Sequence, residues 1–133
     1  MEATDYQAVY QLWQDCNLVL GTSDTEDEIV KFINQNPQTS LVLLKNKQLI
    51  GSVLGGFDGR RGLVHHLAIS ENYRKAGYGR LLFEKLEDEF TKMGVVKISF
   101  WVHKSNLQVI DFYQKIGCEL REDIITMSKT LRE

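Results

Sequence analysis

The stretch Leu67-Ala-Ile-Ser-Glu-Asn-Tyr-Arg-Lys-Ala-Gly-Tyr-Gly-Arg-Leu-Leu82 reads as a strand, a basic glycine loop and the start of a helix. Leu67, Ala68 and Ile69 end an apolar run. Ser70 to Gly79 is polar and holds Gly77 and Gly79. From Arg80 to Met93 an apolar stripe of Leu81, Leu82, Leu86 and Phe90 recurs at helical spacing, with charges opposite and Gly94 as the stop. A helix start offers free backbone N–H groups and the positive end of the helix dipole, so it can hold an anion. Glycines let the backbone approach a phosphate with no Cβ in the way. Arg74, Lys75 and Arg80 add charge at the same end, and Ala76 and Tyr78 complete the loop. The Walker pattern needs Gly-Lys-Ser/Thr, which is missing. The dinucleotide fingerprint needs a glycine where Leu82 stands.

Working outward, Thr4 to Asn17 has helical spacing, with Thr4 or Asp5 as cap. A second helix carries Ile29, Phe32 and Ile33 on one face, capped by Ser23 or Asp24 and ended by Pro37. Three antiparallel strands follow, Ser40 to Leu44, Gln48 to Phe57 and Leu63 to Ile69, with glycines in the second that could mark bulges. Beyond the central helix come a strand over Val95 to Val102 and an amphipathic helix from Asn106 to Ile116 that Gly117 ends. A closing pair of strands is expected over Cys118 to Arg121 and Ile124 to Leu131. The order ααβββαβαββ is an α/β domain with a mixed sheet, and a single domain over 1–133 is expected.

Composition narrows the function. Of 133 residues, 43% are hydrophobic and 26% charged, as in a globular chain. Sixteen basic against 18 acidic residues give a net charge of -2, without the basic surplus of a nucleic-acid binder. No apolar run reaches membrane-span length, and no apolar signal segment opens the chain. Cys16 and Cys118 form no metal or disulfide pattern. A reduced, cytoplasmic protein that holds no metal and binds neither membrane nor nucleic acid is the expectation.

Arg74-Lys-Ala-Gly77-Tyr-Gly79 resembles the Arg/Gln-x-x-Gly-x-Gly/Ala signature of the GNAT superfamily of acyl-CoA N-acyltransferases. Downstream, Asn106-Leu-Gln-Val-Ile-Asp-Phe-Tyr-Gln-Lys-Ile-Gly117 resembles that superfamily's Asn…Phe-Tyr-x-x-x-Gly-Phe element. The element order agrees over nearly the whole chain. Leu12-Trp-x-x-Cys16 and Gly55-Gly-Phe-Asp-Gly-x-Arg-Gly62 look like the small bacterial YpeA-type branch. The departures are Glu71 for a frequent Pro, Cys118 for Phe, and a first strand that is short or absent. One sheet edge is then exposed or paired with another subunit, so a homodimer is possible.

The resemblance implies a mixed, mostly antiparallel twisted sheet flanked by helices, and transfer of an acetyl group from acetyl-CoA to a primary amine of a small molecule or protein. It implies that Tyr113 is the general acid at the CoA sulfur and that Asn106 bonds the pantetheine arm. Leu67 and Ile69 would pair with that arm through their backbones, beside Ala68, and the loop from Arg74 to Arg80 would hold the pyrophosphate. Asn106 could equally cap its helix. An alkyl amine is mostly protonated at neutral pH, so a base or water chain must take a proton. Leu63 stands where histone-acetylating relatives have a Glu. His65 and His66 are the alternatives, and His65 is the better match to arylalkylamine-type relatives. Neighbouring strand residues face opposite sides, so at most one should enter a cleft. His103, Asp24, Glu26 and Glu28 are further candidates, the acids reading more simply as solvated charges. Trp13, Trp101 and Phe57 could line an acceptor pocket, although Trp101 reads first as core. Two readings compete with the enzyme: a non-catalytic acyl-CoA sensor, and an interaction module whose glycine loop is an ordinary turn.

Overall fold

The computed structural model describes all 133 residues, and it divides into two compact units, Met1–Phe100 and Trp101–Glu133. The first unit contains α1 (Tyr6–Asp15), α2 (Glu26–Gln35), β1 (Ser40–Lys45), β2 (Gln48–Phe57), β3 (Gly62–Ile69), α3 (Tyr78–Lys92) and β4 (Ile98–Ser99). The sheet order is β1-β2-β3-β4, antiparallel except for the parallel β3–β4 pair. No strand precedes α1. A 3-10 turn at Ala3–Asp5 stands there instead, and the Met1 ammonium donates to the Ser40 carbonyl at 2.8 Å. The outer edge of β1 is therefore an open sheet edge within this chain.

The two-residue period of β2 sorts the core. Leu54 joins Tyr6, Val9, Leu12 and Trp13 of α1, Ile29 and Ile33 of α2, and Ala68 of β3 in one buried cluster. Its neighbour Gly55 faces α3, where an added Cβ would come within 2.7 Å of Leu86 and 2.9 Å of Phe90. Gly56 turns back to Phe32 of α2. So α1 and α2 cover one face and α3 the other. Buried polar groups are answered: Trp13 Nε1 donates to Ser52 Oγ at 3.0 Å, and Thr39 Oγ1 to the Gly55 carbonyl at 2.6 Å.

Two bulges interrupt the ladders. Leu43 pairs with Gly51 and Leu44 with Leu49, so Ile50 is an extra residue of β2 beside a glycine, as the glycine pattern anticipates. In β3, Leu54 pairs with His65 and Ser52 with Ala68, so His66 and Leu67 together face Val53. His66 takes φ +54 there.

Several boundaries differ from the sequence reading. Thr25, not Ser23 or Asp24, is the N-cap residue of α2, and α3 begins two residues early, at Tyr78. The strand expected over Val95 to Val102 is confined to Ile98–Ser99, which pair with Gly62 and Leu63 before the two strands part. In the second unit the chain turns through a 3-10 segment, Lys104–Val109, into α4 (Ile110–Lys115), which Gly117 ends at φ +96. The closing strands over Cys118 to Arg121 and Ile124 to Leu131 do not form. An alternating pattern is only permission to be a strand, and a lone hairpin is marginal without a further partner. Ile125 and Met127 are 92% and 91% exposed, and Arg121 forks onto Asp123 at 2.9 and 2.8 Å around a local bend. Trp101, expected in the core, is 61% exposed.

Candidate functional site

The basic loop leaves the sheet at the end of β3. Ser70 N–H donates to the Ile50 carbonyl at 2.7 Å, the 3-10 turn Glu71–Tyr73 follows, and Lys75 and Gly77 take φ +64 and +85. Gly77 is the N-cap residue of α3. The first intrahelical bond is Leu81 N–H to the Gly77 carbonyl at 3.0 Å, which leaves the N–H groups of Tyr78, Gly79 and Arg80 without an intrahelical acceptor. A Cβ built on Gly77 would meet nothing within 4 Å, so the approach to these donors is open. Such donors at the positive end of a helix suit an anion.

The cations around the loop are not equivalent. Arg74 folds back: Nε donates to the Ile69 carbonyl at 3.0 Å and a terminal nitrogen lies 3.3 Å from Cys16 Sγ. It braces the loop against the end of α1. Arg80 is tied to Glu84 one turn on at 2.7 Å. Lys45, at the end of β1, reaches the loop as well. Its Nζ donates to Tyr78 Oη at 2.8 Å and lies over the rings of Tyr73 and Tyr78 at 5.7 and 5.3 Å. The Tyr78 hydroxyl raises the Lys45 pKa, so the cation persists.

Beside the loop, β3 separates from β4. Pairing stops at Leu63, and the edge of β3 from Val64 to Ile69 that faces away from β2 has no strand against it. The Ile69 carbonyl is already engaged by Arg74. Ala68 points its side chain into the helix-covered core.

On the helix-covered side the two histidines meet. The bulge breaks the expected alternation, so His65 and His66 both turn toward the α1–α2 face. Their rings are 6.3 Å apart, His65 packs edge-on to Phe32 at 6.1 Å, and His66 lies 4.7 Å from Trp13. Burial first, and the His66 charge second, hold His65 below its ordinary pKa. His66 Nε2 is 2.8 Å from Asp24 Oδ1. Asp24 is not the solvated charge expected: it is only 7% exposed. Burial opposes its ionisation, but hydrogen bonds from His66 and from Gly21 N–H prevail and keep its pKa lowered. Glu26 is exposed and Glu28 pairs with Lys31 at 3.4 Å, as surface acids do. Trp13 is fully buried and lines no surface, while Phe57 is partly exposed.

The second unit holds Asn106 and Tyr113. Asn106 is not the cap of α4. It lies inside the 3-10 segment at φ -130 and accepts from Gln108 Nε2 at 2.6 Å. Tyr113 stands on α4 with its ring 5.1 Å from Phe112. Burial, with a smaller effect of Cys118, pushes its phenol up to about 12.

Residues 6–118 match the Acetyltransferase (GNAT) family. The chain belongs to that family. It is 36% identical over 129 residues to an acetyltransferase of Pectobacterium atrosepticum, an alignment covering 97% of this chain and 91% of that one. Among solved structures, it resembles the PaiA N-acetyltransferase of Thermoplasma acidophilum in complex with coenzyme A, with a TM-score of 0.80 and 14% identity over 93% of this chain and 89% of that one. The ribosomal-protein-S18-alanine N-acetyltransferase of Escherichia coli gives a TM-score of 0.71 and 25% identity, covering 88% and 73%. No helix of this GNAT chain is long and apolar enough to cross a membrane.

Three features of this GNAT chain escape a reading of the sequence alone. Asp24 finds His66 across 42 residues through a bulge that no glycine marks. Lys45 finds Tyr78 across 33. Cys16, whose simplest sequence reading is a small buried hydrophobe, is only half-buried and touches Arg74. The one available signal is a hairpin ending in Lys45-Asn-Lys47, whose charge suits an anion-binding loop.

Proposed function

We propose that this chain is an acetyl-CoA-dependent N-acetyltransferase acting on a primary amine of a small molecule or a protein, with 1–133 as its acetyltransferase domain. The observation that carries this reading is the α3 start: donors without intrahelical acceptors, an open Gly77 and four neighbouring cations. These fit a pyrophosphate, with Lys75, Ala76, Gly77, Tyr78, Gly79 and Arg80 around it, Arg74 bracing the loop and Lys45 adding charge. The unpaired edge of β3 fits an extended pantetheine arm at Leu67 and Ile69, with Asn106 a further partner by resemblance.

Acetyl-CoA would supply the acetyl group: an N–C bond forms as the thioester C–S bond breaks, one amine proton ends on sulfur and one is released. Tyr113 has the role the resemblance gives it, donor to that sulfur. Its raised pKa of about 12 refines the role. A thiol has a pKa of about 8.5, so full transfer from the phenol is uphill by more than about three pH units and the phenol acts first as a hydrogen-bond donor. Removing the amine proton falls to the histidine pair on β3, where His65 is kept neutral by burial. Leu63, at the position the resemblance matches to a Glu, has no acid to offer.

The test is turnover of acetyl-CoA, followed by thiol release, with a polyamine, an aminoglycoside, an amino-sugar phosphate, and peptides with N-terminal alanine or internal lysine. Acetylation of one class supports the reading. Binding of acetyl-CoA with no turnover of any amine favours the sensor.

A further inference from the structure

We propose that His66, held by the buried carboxylate of Asp24, takes the proton from the acceptor amine, and that Asp24 is its positioning residue. This rests on the acetyltransferase reading and assigns the base within the histidine pair.

The argument starts from the backbone. His66 occupies the bulge of β3 at φ +54, a conformation L-residues rarely adopt outside glycine and asparagine. Strain of that kind persists only where the surroundings hold it. Here they hold the ring. The bulge carries the imidazole to the α1–α2 side, 4.7 Å from Trp13 and 2.8 Å from Asp24 Oδ1. Asp24 is itself fixed from three directions. Its Oδ2 accepts from Gly21 N–H at 2.9 Å, its own N–H donates to the Gly21 carbonyl at 2.9 Å, and its carbonyl accepts from Tyr6 Oη at 2.7 Å. The carboxylate cannot swing away from the histidine without breaking its bond from Gly21 N–H, and the other two bonds fix the backbone that carries it.

Chemistry then fixes the tautomer. An ionised Asp24 only accepts, so Nε2 carries the hydrogen and Nδ1 of the neutral ring carries the lone pair. The His66 side chain is 21% exposed and that of Asp24 10%, so the imidazole is the more accessible member of the pair. When Nδ1 takes a proton, the resulting imidazolium lies against an anion. The other titratable groups here are His65 on β3, Tyr6 and Tyr10 on α1, and Glu26 at the start of α2, which acts on Tyr6. His65 packs on Phe32 and is disfavoured as a cation by burial and by His66. The step balances: R–NH3⁺ gives one proton to Nδ1, the freed nitrogen pair forms the N–C bond, the C–S electrons leave on sulfur and take the amine's second proton, and His66 releases its proton to water.

The test joins kinetics to imidazole nitrogen NMR on the full chain. His66→Asn suits the left-handed backbone. Its kcat should fall about 100-fold or more, and that of Asp24→Asn about tenfold or more, with the KM for acetyl-CoA within about twofold of wild type. His65→Gln should fall less than His66→Asn. In wild type the neutral His66 should carry its hydrogen on Nε2, and Asp24→Asn should abolish that preference, a change a merely structural role would not couple to kcat. A His66→Asn variant with wild-type kcat, or a neutral His66 protonated on Nδ1, would overturn the assignment. If wild type binds acetyl-CoA and turns over an amine while the assignment fails, the enzyme reading stands. If a folded wild type neither binds nor turns over, both fall.

Discussion

Tyr113 keeps its proton through neutral and mildly basic pH, because burial pushes its phenol up to about 12. Tyr113→Phe should therefore lower kcat roughly 100-fold, leave acetyl-CoA affinity unchanged, and leave the shape of the pH profile between about pH 7 and 10 as in wild type, because the phenol does not titrate there. Steady-state kinetics across that range check it. The proposed role is suggested in the sequence by resemblance, through the spacing of seven from Asn106 to Tyr113 and the following Gly117. That of Asp24 is not. Its neighbours in sequence are polar, and only the tertiary path through a bulge on β3 shows that it is buried against a histidine. Arg74 lies between these cases: its place in the loop is readable, but its brace to Ile69 and Cys16 depends on where α1 ends.

Among the elements, α3 and β2 show why glycine is required at one strand position. Gly55 lies under Leu86 and Phe90 so closely that a side chain has no room. Gly55→Val should destabilise the fold by about 1–3 kcal/mol, measured by urea unfolding, with the slope unchanged. Leu86→Ala alone should cost about 2–5 kcal/mol by leaving a cavity. Because the two sites touch, the double variant should cost less than the sum. Helical period and turn glycines make α1, α2, α3 and the β1–β3 meander readable. The β3 bulge is not, since no glycine marks it and the contacts of His66 with Trp13 and Asp24 are long-range. The alternation over the closing segments overstates their structure: it is real, but a strand exists only where a partner edge is in register.

At the scale of the molecule, pH acts on the neighbouring groups His65 and Asp24, which are of opposite charge type. His65 has a folded pKa below its ordinary 6.5, so below that value the unfolded chain binds protons more readily and stability falls. Asp24 has a folded pKa below its ordinary 3.8; its contribution is present above that value and lost as pH falls through the folded one. Thermal melts should show a plateau near neutrality, a first decline below about pH 6.5 and a second below about pH 4, with Asp24→Asn abolishing the second group's share. The family and the loop, by contrast, bear on one cofactor. The most direct test of the account is isothermal titration of the purified chain with acetyl-CoA, wild type beside a Gly77→Asp variant shown by circular dichroism to be folded. A carboxylate at the α3 start would repel a pyrophosphate, so the expected result is wild-type binding weakened at least about tenfold in the variant. A folded wild type that gives no binding heat at any temperature, or a variant that binds as tightly as wild type, would contradict it.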